Sequence, residues 1–351
     1  MIHSRLIPAG LAAPDVLGFG PVNPSMTTSP QTRHVEAILM LLVVNLFWGL
    51  SFPLIKSLLI LNGELVPEAD SWFATLYTVA PRFILAALIL ALVDLRGFWR
   101  ITRRELQQGF LIGLFSAAGM LLQNDGMHYT EASTSAFLTQ FYAIMIPVAV
   151  ALRHRRNPGA RVWVSCLLVL VGVAILGRFD WSALSFGRGE GETLLASFFF
   201  MGQILCLGWA RYTGNRAAKI TLVMFVTQAV IFAGLTGMVT PSAEALLVPW
   251  TSGPWLLLTA ALTLVCTVGA FTLMNKWQPK ISTTEAGLLY CVEPIFGSSI
   301  ALFLPAIISA WALIEYPNET ATWTLLVGGA LITIANVLIQ LQPRRSGAVS
   351  K

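Results

Sequence analysis

Ten apolar runs shape this sequence of 351 residues, at roughly 37–59, 72–93, 108–127, 132–152, 162–178, 191–211, 218–239, 253–275, 284–304 and 321–341. A helix needs about 20 mostly apolar residues to cross the hydrocarbon core of a bilayer, and each run is of that order. In lipid every backbone polar group must be satisfied within the protein, so only helices and closed barrels can span. Barrel strands would be about 9–11 residues long and would alternate in polarity. These runs are longer and do not alternate. The expected fold class is all-α integral membrane, with ten transmembrane helices. Composition agrees: 56% of residues are hydrophobic and 11% charged, against about 45–50% and about 25% in soluble domains. Such a chain cannot cover a surface that faces water.

Charge sets an orientation. With the N-terminus inside, all of the 22 Lys and Arg residues except Lys56, Arg82, Arg178 and Arg188 fall in cytoplasmic segments. The opposite loops are acidic instead, with Glu64, Glu68, Asp70, Asp125, Glu131, Glu315 and Glu319. This asymmetry predicts both termini in the cytoplasm of a multi-pass membrane protein. The net charge of +5 does not mark a nucleic-acid partner, because the basic residues form short clusters between apolar runs. The four cysteines, Cys166, Cys206, Cys266 and Cys291, all lie inside apolar runs. They read as packing residues. Neither a disulfide framework nor a metal site is expected, and no cofactor.

Residues 1–35 are rich in Pro, Gly, Ser and Thr and lack the parts of a signal peptide; they read as a disordered cytoplasmic tail. Met26 stands as an alternative start. Residues 342–351 read as a cytoplasmic C-terminal tail.

The chain also repeats itself. The stretch GMLLQNDGMHYTEASTSAFL from Gly119 resembles GAFTLMNKWQPKISTTEAGL from Gly269, 150 residues on. Gly119 pairs with Gly269, Thr134 with Thr284, Ala136 with Ala286 and Leu138 with Leu288. The fifth run resembles the tenth. Two five-helix repeats follow, at 36–178 and 179–341. Five is odd, so the second copy crosses the membrane upside down. Inverted repeats are an architecture of secondary transporters, with the solute site near mid-membrane. Gly109, Gly113 and Ala117, and likewise Gly172 and Gly328–Gly329, have the spacing that lets helices approach closely.

The first run carries N-L-F-W-G-L-S-F from Asn45 to Phe52, the second R-F-I-L-A-A from Arg82 to Ala87, and the ninth Glu293-Pro294 after Ser282 to Leu289. With ten spans in two inverted fives, the chain resembles the EamA-type permeases of the drug/metabolite transporter superfamily over about 35–341. The resemblance implies export of amino acids, other metabolites or toxic compounds from a bacterial cytoplasm across the inner membrane, around a cavity formed by helices 1, 3, 4, 6, 8 and 9. The first repeat departs from the pattern: Ala143 and Ile144 stand where Glu293-Pro294 would match.

Polar groups deep in apolar runs need a reason. Glu293 reads either as a proton or cation site or as a structural acceptor beside the kink at Pro294. Tyr290, Glu293 and Gly297 share a helical face, and Tyr290 matches Gln140 of the first repeat. Arg82 should point inward, toward Glu293, toward free carbonyls near a proline, or toward an anionic solute. Lys56 is expected to snorkel. Trp48 lies mid-helix on a face with Asn45 and Phe52, suited to an amphipathic solute, with plain packing as the rival reading. Gln140 and Gln203 are the deeper amides; Gln123 and Asn124 sit toward the outer end and read as wet. Ser282 and Glu285 have capping-box spacing.

The cavity candidates are therefore Asn45, Trp48, Gln140, Gln203, Tyr290 and Glu293, with Glu293 and Arg82 as coupling or structural charges. The expected partners are a small-molecule solute, the lipid bilayer and protons as a coupling ion. An enzyme is not expected: the sequence has neither a H-E-x-x-H nor a G-x-S-x-G motif, nor a phosphate loop. A non-transporting sensor or assembly subunit, a channel, and an importer or exchanger of the same fold are the competing readings.

Overall fold

The computed structural model describes residues 30–93, 100–155, 157, 159–176 and 187–340. Among the described residues all regular structure is helical. The first half runs α1 (Pro30–Leu65), α2 (Ser71–Val93), α3 (Arg103–Tyr129), α4 (Ala132–Thr139), α5 (Tyr142–His154) and α6 (Ala160–Leu176). The second runs α7 (Arg188–Leu207), α8 (Ala217–Val239), α9 (Gly253–Ala261), a π-helical stretch (Leu262–Gly269), α10 (Ala270–Trp277), α11 (Thr283–Tyr290), α12 (Glu293–Ala301), α13 (Leu304–Ala312) and α14 (Trp323–Gln340).

The chain is a multi-pass membrane protein. Among the described residues six helices are long and apolar enough to cross a bilayer. A seventh joins them if Thr283–Ala301 and Leu304–Ala312, bent by 53°, count as one span. Length and hydropathy thus support fewer crossings than ten. In α6 and α14 the apolar stretches are short, Ala160–Gly172 and Trp323–Ala335. In α7 the opening turns carry Arg188, Glu190 and Glu192.

Several boundaries shift from the sequence reading. The first helix begins at Pro30, inside the stretch expected to be tail; residues 1–29 and the expected C-terminal tail lie outside the described residues. The stretch after the ninth run forms its own helix, α13.

Two helices are broken in the same way. After eight residues α4 gives way to α5, and after eight residues α11 gives way to α12. The breaks close with short-range bonds, Gln140 N–H to the Phe137 carbonyl (3.0 Å) and Cys291 N–H to that of Leu288 (3.1 Å). At the second break Pro294 occupies the first turn of α12, where its missing N–H costs little. Counted from these helix starts, Glu293 corresponds to Tyr142, not to Ala143 as the 150-residue register has it, and Gln140 corresponds to Cys291.

Glycine sets the closest helix contacts. A Cβ on Gly109 would lie 2.5 Å from that of Val223, and one on Gly113 2.9 Å from that of Thr227, so α3 lies directly against α8. Gly119 receives the Phe200 ring and Gly202 the Phe115 ring, which interlocks α3 with α7. Gly172 faces the Gly328 carbonyl between α6 and α14, and Gly49 faces Phe296 and Gly297 between α1 and α12. The small-residue spacing does mark packing. All of these contacts join one half of the chain to the other. The halves interleave, so a motion that rocked one intact half against the other would pull apart the tightest packing in the molecule.

Candidate functional site

Helices from both halves surround a cavity. Its apolar wall is Trp48 and Phe52 from α1, Met120 from α3, Phe200 from α7, and Phe271 and Met274 from α10. Trp48 stands with its ring centroid 5.4 Å from those of Phe271 and Tyr290. Its indole N–H is buried and has no partner among the described residues.

Glu293, the first residue of α12, lines the same cavity and is 6% exposed. The break after Tyr290 puts it there by starting a new helix. Its carboxylate accepts from the Gln140 amide at 3.4 Å. Among the described residues no Arg or Lys forms an ion pair with it.

Arg82 also lines the cavity and is fully buried beside the Phe83 ring. Its Nε donates to the Thr267 hydroxyl. Neither Glu293 nor a carbonyl near a proline is its partner, so the expected pairing is corrected. One Nη is left without a partner.

The remaining candidates divide. Gln203 lines the cavity, with its amide 3.8 Å from the Met274 sulfur. Gln140 stands behind Glu293. Asn45 is buried and donates to the Leu289 carbonyl (3.0 Å), just before the α11–α12 break. Tyr290 backs Trp48 and donates to Gln278 at 3.0 Å. None of these last three is among the lining residues; they support the wall. The face expected to join Tyr290 to Glu293 is interrupted at residues 291 and 292.

Sequence reasoning missed part of the site. Gln123 and Asn124, expected to be wet, are buried and line the cavity. Gln123 donates to the Thr139 hydroxyl at 2.7 Å, whereas both amide atoms of Asn124 lack a partner. Tyr142, the structural counterpart of Glu293, lines it too. The break shared by two matching helices brings Tyr142 there, and the sequence carries no signal of that break.

The two ends of the bundle are tied by charge. At one end Arg216 grips Glu105 at 2.7 and 2.8 Å and donates to the Arg100 carbonyl. At the other, Arg188 pairs with Asp125 (2.5 Å) and Glu192 (2.8 Å). Asp125, read as a loop acid, is thus fully buried inside α3. Lys56 does not snorkel: it donates to the Met127 and Thr130 carbonyls that end α3. Ser282 caps α11, accepting from Glu285 N–H at 3.2 Å, but the Glu285 carboxylate pairs with His34 at 3.0 Å.

Residues 35–178 match the EamA-like transporter family. The chain carries an EamA-like transporter domain. A protein of Archaeoglobus fulgidus described as an uncharacterized transporter is 26% identical to this EamA-like chain over 310 residues, 88% of this chain and 87% of its own. A protein of known crystal structure, 17% identical, aligns over 89% of this chain and 99% of its own with a TM-score of 0.58, a likeness in fold. The resemblance drawn from Asn45–Phe52, Arg82–Ala87 and Glu293-Pro294 holds. This EamA-like protein is a membrane transporter, a class that implies small-molecule solutes and a bilayer.

Proposed function

We propose that this EamA-like protein is a secondary transporter that exports small organic metabolites by alternating access of the central cavity. In this reading ten helices cross the inner membrane of a bacterium as two inverted repeats, 36–178 and 179–341, with both termini in the cytoplasm. The short α6 and α14 and the polar opening of α7 then count as crossings, and α13 lies outside them.

One observation carries the reading. The cavity brings an aromatic wall at Trp48 and Phe271 together with the Glu293 carboxylate and the unpartnered Asn124 amide. An apolar pocket with a few converging polar groups is the usual form of a small-molecule site. Matching breaks in α4–α5 and α11–α12 support the repeat, since interrupted helices at the centre are where transporters build solute sites. Because the halves interleave, the moving bodies are mixed groups of helices, with α3, α7 and α8 in one of them. Glu293, without a cation beside it, is the residue we assign to proton coupling.

Flux tests this. Purified protein in liposomes is offered radiolabelled amino acids, nucleosides and sugars, with Trp48→Ala and Glu293→Gln alongside. Saturable uptake of one class, lost in Trp48→Ala, supports the reading. Uptake unchanged in both variants removes the cavity from the pathway. Full transport with an unchanged pH profile in Glu293→Gln removes the coupling role. A folded protein with no flux of any class points to the sensor or assembly reading.

A further inference from the structure

The central cavity and a second space follow each other along the same three helices. On α1, Phe52 and Ile55 line the cavity, and Lys56 and Ile60 line the second space. On α3, Gln123 and Asn124 face the first, and His128 and Tyr129 the second. On α4 the order runs from Thr139 at the cavity to Thr134 and Ala132 at the second space. The second space opens at the surface beside the exposed Glu131, Glu315 and Asn318. In the topology proposed above this is the side away from the cytoplasm, so the space is an outer vestibule.

The wall between the two is thin. From Asn124 to His128 is one helical turn, about 6 Å along the axis. The apolar part of the wall is Phe52 and Ile55 of α1, Met127 of α3 and Ala136 of α4, all buried in one packed cluster. Its polar part is Lys56, whose ammonium donates to the carbonyl of Met127 and, at 3.1 Å, to that of Thr130. A helix leaves such carbonyls unpaired at its C-terminus, the end that favours a cation. One side chain thus holds α1 to α3 at the level of the wall. Two features make this hold releasable. It joins two helices whose tight glycine contacts are made with other partners: α1 meets α12 at Gly49, and α3 meets α8 at Gly109 and Gly113. Lys56 is also half-buried and lines the vestibule together with Glu131 and Glu319. An ammonium that leaves the carbonyls on that side meets carboxylates and water, and so avoids the cost of an unpaired buried charge.

We infer that Lys56 is the latch of a gate between the cavity and the vestibule. Seated on the Met127 and Thr130 carbonyls, it holds the wall closed. Turned toward Glu131 and Glu319, it lets α1 part from α3, and the cavity meets the vestibule. The inference rests on the cavity being a transport route, as proposed above, and names the residue that closes one end of it.

The test reads access to the cavity from each face. Ser51 lines the cavity and the native cysteines are all buried, so Ser51→Cys supplies the thiol. A membrane-impermeant maleimide is applied to the full-length protein in vesicles of each orientation. Compared with Ser51→Cys alone, Ser51→Cys/Lys56→Met is expected to react about ten-fold or more faster from the vestibule face, with no gain from the other. Ser51→Cys/Lys56→Arg keeps a donor for the carbonyls and is expected to return to the rate of Ser51→Cys alone. A melting curve for each variant shows that it is folded. Equal rates with and without Lys56 overturn the inference. So does a gain of the same size from both faces, which is what a merely loosened fold gives. Labelling does not require flux: absence of flux in liposomes removes the transport reading, whereas these rates decide on the latch.

Discussion

The Arg82 guanidinium donates through Nε to the Thr267 hydroxyl, and that hydroxyl donates in turn to the Leu262 carbonyl five residues back at 2.8 Å. The reach to the fifth residue belongs to the π-helical stretch Leu262–Gly269. Its wider turn gives Thr267 a carbonyl to donate to while the oxygen faces Arg82. Wide turns of this kind recur at functional sites. Thr267→Val keeps the shape and removes the acceptor, leaving a buried charged group with one partner fewer. A loss of about 1–3 kcal/mol is expected. Thr267→Ser should keep most of the stability, and thermal melting of the two variants in the same detergent checks the contrast.

Gly49 lies where α1 crosses α12 beside the cavity. A Cβ there would stand 2.7 Å from that of Phe296 and 2.8 Å from the Gly297 nitrogen. Both neighbours are firmly placed, so Gly49→Ala must push the helices apart, at a cost of about 1–3 kcal/mol. Gly63, near the end of the same helix, has nothing within 4 Å of its built Cβ. Gly63→Ala should stabilise by about 0.5–1 kcal/mol through helix propensity alone. Opposite shifts in melting temperature from the same substitution in one helix are the expected result.

Glu319 accepts from Ser133 N–H at 3.3 Å, which ties the chain after α13 to the start of α4. Burial holds its carboxyl above the usual carboxylate range, against the pull of Ser133 and Lys56. A folded state that holds its proton more tightly than the unfolded chain is more stable at low pH. Glu319 should therefore cost stability as pH rises from the ordinary glutamate value through its raised one. Glu319→Gln does not ionise, so its melting temperature should gain on the wild type as pH rises through that window. A constant difference across pH would contradict this.

Glu105 has two tasks. It closes the capping box of α3, accepting from Thr102 N–H at 2.9 Å, and it holds the Arg216 guanidinium and backbone N–H. Glu105→Ala should accordingly cost more than Arg216→Ala, which removes the ion pair but spares the cap. Glu105 is buried and Arg216 half exposed, so a double-mutant cycle on thermal stability should give a coupling of about 0.5–3 kcal/mol. Zero coupling would show that the pair does not clamp this end.

The sequence carried the membrane class, the family and the deep placement of Trp48, Arg82 and Glu293, because lipid imposes long apolar runs and makes each buried charge conspicuous. Small residues at Gly109 and Gly113 announced close packing for the same reason. What it hid was three-dimensional. Asn124 and Asp125 sit near a helix end, where polarity normally means water, but Asn124 faces the cavity and Asp125 is held between Thr75 of α2 and Arg188 of α7. Lys56 looked like a snorkelling side chain because the carbonyls it caps lie more than 70 residues along the chain. The partner of Arg82 could not be read from a hydroxyl 185 positions away. The helix breaks after Thr139 and Tyr290 moved Tyr142 into the site and left Gln140 and Tyr290 behind the wall. Interleaving of the halves was equally invisible, since periodicity says which residues pack but not against which helix.

The central claim is that the cavity beside Trp48 and Glu293 opens to each side of the membrane in turn. Ser51 lines that cavity, and the native cysteines are all buried, so Ser51→Cys adds one thiol of nearly the same size. Its rate of reaction with a membrane-impermeant thiol reagent is measured in vesicles of each orientation, with the wild type as blank. Alternating access predicts labelling from both faces, slowed from both by a transported solute. Labelling from one face alone, however long the exposure, would contradict the account.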